Sequence, residues 1–176
     1  MKEFCQNVKR LSLLILLICS GLTLLTSAVT SESKSAVSKA SVLTPISLEN
    51  TNGQGLKFGS ITIGAVNSTI RVSATSSVSP NVTVGDAVVL STITQEAAKF
   101  TVTGESGKSY AITLPSTMNV IKGSDHLVVN NFTCSNGSAG VIGTNDVFYI
   151  GADLVLPSSA VSGAYQGTFS LVVVYN

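Results

Sequence analysis

Three observations in the sequence predict an all-β protein, an antiparallel β-sandwich. Runs of alternating or β-branched apolar residues recur about every ten residues with Gly, Pro and Asn between them, the spacing of short strands joined by turns. Apolar residues keep helical spacing over more than two turns in none of its windows. The chain is also poor in charge, with 10 Lys and Arg and 9 Asp and Glu in 176 residues, and rich in Ser, Thr, Asn, Gly and Val. Thr and Val suit a pleated surface, and Gly and Asn suit tight turns. A sandwich is favoured over a barrel because the runs are uneven in length.

The first segment lies outside the domain. Lys2, Lys9 and Arg10 precede the apolar run Leu11 to Leu25, and Thr26, Ser27 and Ala28 follow it. This order reads as a secretory signal, residues 1–28, cleaved after Ala28. The run is shorter than the roughly 20 residues of a spanning helix, and Ile18 before Cys19 is too large for a lipidation site. Cys5 and Cys19 fall in the signal, so the exported chain keeps Cys134 and forms no internal disulfide. Thr133 and Ser135 bring no cation to stabilise a thiolate, and Cys134 reads as a plain small residue. Beyond Ala28 the chain has seven basic and eight acidic residues. That balance excludes an electrostatic footprint for nucleic acid and a polybasic patch for a membrane surface.

Residues 29–39, VTSESKSAVSK, are Ser-rich and read as a flexible N-terminal arm before one domain, residues 40–176. From Ala36 a mild alternation runs through Ala40, Val42, Ile46 and Leu48. Pro45 within it has no N–H for a ladder, which places this stretch at a sheet edge or a bend. After the turn at Asn50 to Gly55, strands are expected from Leu56 (LKFGSITIG), Ser68 (STIRVSA), Asn81 (NVTV), Ala87 (AVVLSTIT), Lys99 (KFTVTG), Ser109 (SYAITLP), His126 (HLVVNNFTC) and Val147 (VFYIGADLVL). The chain closes on GAYQGTFSLVVVYN, where Tyr165, Gly167, Phe169, Leu171, Val173 and Tyr175 share one face and are expected to be buried. The other face is polar at Gln166, Thr168 and Ser170 but apolar at Val172 and Val174, which predicts a second covering surface there.

The motifs that could carry chemistry do not complete themselves. GESGKS, Gly104 to Ser109, ends like a phosphate-binding loop, but Val102 stands where that loop needs its first Gly, and a strand follows instead of a helix. The stretch reads instead as a hairpin turn between two strands. His126 is the single histidine; Asp125 beside it points to the opposite strand face, and no G-x-S-x-G elbow is present. Metal-ligand spacings such as C-x-x-C or D-x-D-x-D are missing. The sequence therefore predicts a protein that is not an enzyme and takes no cofactor or metal.

LKFGSITIG, KFTVTGESGKSYAITLP and YIGADLVLPSSAVSGAYQGTFSLVVVYN together resemble a family of uncharacterised bacterial secreted domains related to the spore-coat-protein-U-like subunits of archaic chaperone–usher pili. The resemblance runs from about Ala40 to the end, and it is most specific at Phe58-Gly59, Phe100 to Gly104 and the closing segment. It implies an immunoglobulin-like, pilin-like sandwich, exported to the periplasm or cell surface of a Gram-negative bacterium. It also implies an assembly strand in which Gly163 stands fourteen residues from the end, Phe169, Leu171 and Val173 alternate, and Tyr175 is penultimate. Partners would be a periplasmic chaperone and neighbouring subunits, joined by β-strand addition. The chain departs from that pattern in lacking an internal disulfide and in its polar arm. The run Ala40, Val42, Ile46 and Leu48 fits either a donor strand or the domain's own first strand. The expected function is a non-enzymatic structural or adhesive fibre subunit; the alternative is a self-complete monomeric binding module. Absence of Trp and only four Tyr disfavour a sugar-stacking face.

Overall fold

The computed structural model describes residues 32–51, 53, 55–79, 81–90, 94–143 and 146–176. Residues 1–28, read from the sequence as a cleavable signal with Cys5, Cys19 and Ala28, lie outside the described residues. The chain divides into two units, Met1–Ala40 and Ser41–Asn176. In the first, the described residues 32–40 have no regular secondary structure and are exposed.

The second unit is all-β among its described residues, and its sheets are antiparallel. Twelve strands follow in order: β1 Ser47–Asn50, β2 Ser60–Thr62, β3 Ser68–Val72, β4 Asn81–Val84, β5 Val88–Leu90, β6 Ala98–Thr103, β7 Ser109–Thr113, β8 Thr117–Lys122, β9 Asp125–Cys134, β10 Ala139–Val141, β11 Asp146–Leu156 and β12 Val172–Tyr175. The largest sheet curls into a half-barrel around β11. Along one edge β11 pairs with β9, which pairs with β8. Along the other edge its first half pairs with β6 and its second half with β3. Strands β1 and β4 close the two branches. A three-stranded sheet, β10-β7-β12, and the pair β2-β5 complete the fold.

The partner change on β11 has a local cause. Pairing with β6 ends at Ile150 and pairing with β3 begins at Ala152. Gly151 stands between them, and a Cβ there would lie 2.2 Å from the Val72 carbonyl oxygen at the end of β3. Only a residue without a side chain lets β3 come in at this point. On the opposite edge, Gly151 faces Thr133 while Asp153 faces Asn130, so two residues of β9 oppose one of β11 in a bulge. Asn131, in that bulge, has φ 50°, a left-handed conformation that Asn tolerates better than most residues.

The bulge also houses a buried charge. Asp153 is 6% exposed, and both its oxygens accept from Arg71 at 2.7 Å, while Asn131 Nδ2 donates to Oδ2 at 2.9 Å. Hydrogen bonds from Arg71, then from Asn131, outweigh desolvation and hold the Asp153 carboxyl below the usual carboxylate range. The small cleft beside them, about 170 Å³, is lined by this network and by Ser73, Ala74 and Thr133.

Two apolar clusters fill the unit. One gathers Ile70, Leu127, Val129, Ala152 and Leu154 from β3, β9 and β11. In the other, Tyr110 and Ile112 of β7 meet Ala98 and Val102 of β6 and Phe148 and Ile150 of β11. Side chains of the three-stranded sheet thus reach those of the curled sheet; within the curled sheet, Phe100 of β6 stacks on its cross-strand partner Phe148 of β11 at 5.7 Å.

The structure corrects four expectations. GESGK is not a hairpin: both edges of β6 are taken by β1 and β11, so the chain crosses to the other sheet, where β7 lies between β10 and β12. The run from Leu56 is a regular strand only at Ser60–Thr62, because Gly59 breaks it with φ 80°. Strands β8 and β10 were not expected. The alternating run Ala36 to Leu48 is divided: Ala40 and Val42 are exposed, while Ile46 and Leu48 pack on the second cluster beside β1, an edge strand that starts two residues after Pro45.

Replacing Asp153 with Ala strands the Arg71 charge and unties the bulge. The expected loss is about 2–3 kcal/mol in denaturant unfolding, below the full cost of breaking a buried pair because Arg71 is partly exposed. Since the folded-state pKa of Asp153 is depressed, its contribution is complete above its unfolded value of about 3.9 and disappears as pH falls through the lower folded value. The wild type should therefore lose stability below about pH 4 more steeply than Asp153→Asn, as measured by urea midpoints at several pH values.

Candidate functional site

The stretches 55–63 and 160–169 border an apolar groove of about 1230 Å³. Its floor is built from Met118 and Val120 of β8, Leu127 of β9, and Leu154 and Leu156 of β11, with Phe100 of β6. Lys57 is the one charged side chain among the described lining residues, and its ammonium is 2.9 Å from the Glu96 carboxylate. The two borders comprise nine and ten residues.

Each wall is fastened from outside the groove. Lys57 exchanges two backbone hydrogen bonds with Glu96, and the side chain of the buried Gln95 donates to the Phe58 carbonyl at 3.1 Å. Ser60–Thr62 then pair with β5. On the other wall Gln166 exchanges two backbone bonds with Ile121 of β8. Lys122 Nζ donates to the Ser162 carbonyl at 2.7 Å and lies 5.7 Å from the Tyr165 ring centre. Gly167 passes so close to β8 that a Cβ would sit 2.5 Å from the Asn119 carbonyl oxygen.

The pairing pattern leaves an open edge. Gln166 turns its N–H and C=O toward β8, so the neighbours Tyr165 and Gly167 turn theirs the other way, as alternate residues of an extended chain must. Asn176 N–H donates to Ser109 O, which by the same alternation points the backbone groups of Val173 and Tyr175 away from β7. Among the described residues, that outer edge from Tyr165 to Tyr175 has no ladder partner.

The residues singled out in the closing segment are distributed as follows. Tyr165 packs on the first cluster, and Phe169, Leu171, Val173 and Tyr175 on the second, all half-buried. Phe169 touches two rings, Phe132 at 5.3 Å and Phe100 at 6.3 Å. Gly163 is exposed with φ 149°, against the Lys122 side chain. Regular strand pairing is confined to Val172–Tyr175 and stops where β7 meets Pro115, which has no N–H to give. Val172 and Val174 are 55% and 49% exposed, and the described residues supply no second covering surface for them. The structure does not bring Ala40 and Val42 to Ile46 and Leu48 in one strand. The sequence did not single out the border 55–63 as a site; Gly55 and Gly59, both with positive φ, are the residues that could have marked it as irregular. No group of three or more His, Cys, Asp or Glu among the described residues is arranged to hold a metal ion.

The two faces of the closing segment should respond differently to truncation. Phe169→Ala removes a ring that contacts two others and is expected to cost about 2–3 kcal/mol, less than a fully buried Phe because the side chain is half-buried. Ser170→Ala, on the exposed face, should stay within about 0.5 kcal/mol. Chemical denaturation of both variants checks the pair.

Comparison with curated proteins gives no significant match, and none of the solved structures matches significantly. One family model does match, over residues 46–175, which takes in β1 through β12 and both walls of the groove. The chain belongs to the family described as Domain of unknown function (DUF4402).

Proposed function

We propose that this protein is a non-enzymatic structural or adhesive subunit of a bacterial surface fibre, exported to the periplasm or cell surface, whose groove accepts an extended strand from another chain. The observation that carries this reading is the apolar groove bordered by a segment with an open backbone edge. An extended apolar segment satisfies both at once: its side chains enter the groove, and its backbone pairs with Tyr165, Gly167 and the residues that follow. Five such side chains would contribute about 8–15 kcal/mol before the ordering costs of binding. The curled sheet with the three-stranded sheet packed on it, and the groove left between the curled sheet and the stretches 55–63 and 160–169, read together as an immunoglobulin-like sandwich short of one strand. This is the arrangement expected from the resemblance to archaic chaperone–usher subunits. A periplasmic chaperone and neighbouring subunits would be the strand donors.

A second reading is a self-complete monomeric binding module. It is favoured by the way Ile46, Leu48 and the closing segment already close the second cluster. Its groove would take a free apolar ligand.

The full-length gene is expressed in a Gram-negative host, and the protein is recovered from the periplasm. A synthetic peptide spanning Ala36 to Leu48 is added, with a medium-chain fatty acid as a parallel probe. Strand complementation predicts a rise in Tm with the peptide, loss of that rise when Val42 of the peptide is replaced by Asp, and slow peptide release. A monomer whose cooperative unfolding is unmoved by the peptide but shifted by the fatty acid would transfer the assignment to the binding module.

A further inference from the structure

Thr44 has all of its polar groups engaged, by two residues far away in the chain. Its hydroxyl donates to Glu105 Oε2 at 2.7 Å and its N–H to the same oxygen at 3.3 Å. Its carbonyl accepts from the Tyr175 hydroxyl at 2.7 Å, and that hydroxyl accepts from the Glu105 N–H, also at 2.7 Å. Three segments, before β1, after β6 and at the end of β12, are thereby joined in one closed ring of hydrogen bonds. Gly104 makes the ring fit, since a Cβ there would lie 2.3 Å from the Tyr175 hydroxyl oxygen and 2.8 Å from Ile142 Cδ1. Pro45 holds the residue before it out of the helical region, which keeps Thr44 extended between its partners.

The ring coincides with a change in burial. Val42 is 94% exposed, whereas Ile46 and Leu48 pack on the second cluster. Strand β1 needs such an anchor: it has four residues, pairs only with β6, and lies at the edge of the sheet. Fraying of a short edge strand starts at its free end, and here that end is the one next to Thr44.

We propose that Glu105 and Tyr175 form a latch on Thr44 that sets the boundary between the exposed leading segment and the resident strand β1. Anything that binds or pulls the residues before Thr44 is then resisted by β12 and the β6–β7 connection, and does not peel β1 from β6. The latch requires no assumption about what the groove holds.

The test uses the full chain and the variants Tyr175→Phe, Glu105→Gln and the two combined. Amide hydrogen exchange followed by NMR should show the Thr44 and Glu105 amides protected in the wild type. Tyr175→Phe should speed exchange of the Glu105 amide at least tenfold. The double variant should speed the β1 amides about tenfold while those of β9 and β11 keep their wild-type rates. Thermolysin should cleave the wild type before Val42 or Leu43, and the double variant also before Ile46 and Leu48. If the double variant does not fold, the single variants give the same comparison for the Thr44 and β1 amides. An unprotected Thr44 amide in the wild type would overturn the latch. So would unchanged β1 exchange and an unchanged cleavage boundary once the ring is broken. Peptide binding to the groove reads out in neither measurement, so the two ideas fail separately.

Discussion

The partner change along β11 is the constraint on which the other features depend. One strand of eleven residues, Asp146 to Leu156, must serve β9 on one edge and both β6 and β3 on the other. A flat ladder cannot do this, and the chain solves it with a missing Cβ at Gly151 and an extra residue in β9. The turn in direction carries a buried carboxylate, which Arg71 from β3 neutralises and Asn131 from β9 hydrogen-bonds in one network. Because the three partners come from three strands, the network ties the branch point together as well as satisfying the charge.

The groove follows from that curl. Once β11 bends the sheet, Leu154 and Leu156 of its second half and Leu127 of β9 form an apolar floor, which the described stretches 55–63 and 160–169 border. Both borders are fastened to strands behind them, by Lys57 to Glu96 and by Gln166 to Ile121. The exposed pair Val172 and Val174 belongs to a different face, the outer side of the three-stranded sheet, and is separate from the groove.

Long strands with a strong period were legible in the sequence. NVTV, STIRV, AKFTVT, SYAIT and the two longest strands lie within a residue or two of the expected runs; in STIRV and SYAIT a buried face fixes the alternation. Met118 and Val120 of β8 show the same alternation, but Pro115 before them and Gly123 after them mimic a loop. Strand β10, Ala139–Val141, is too short and too small in its side chains to carry a pattern.

The sequence by itself determined the all-β class, the alternation of half-buried and exposed side chains from Phe169 to Tyr175 and the lack of a complete catalytic motif, because these are properties of local spacing and residue type. Tertiary structure decided which strands are neighbours. GESGK has turn chemistry in any context, yet it joins two sheets because β1 and β11 already occupy both edges of β6. The same holds for the run from Ala36 to Leu48, whose alternation is continuous in sequence. Only the meeting of Thr44 with Glu105 and Tyr175, sixty-one and one hundred and thirty-one residues away, separates its exposed part from its packed part. Contacts at that distance depend on how the whole chain closes, and no local pattern encodes them.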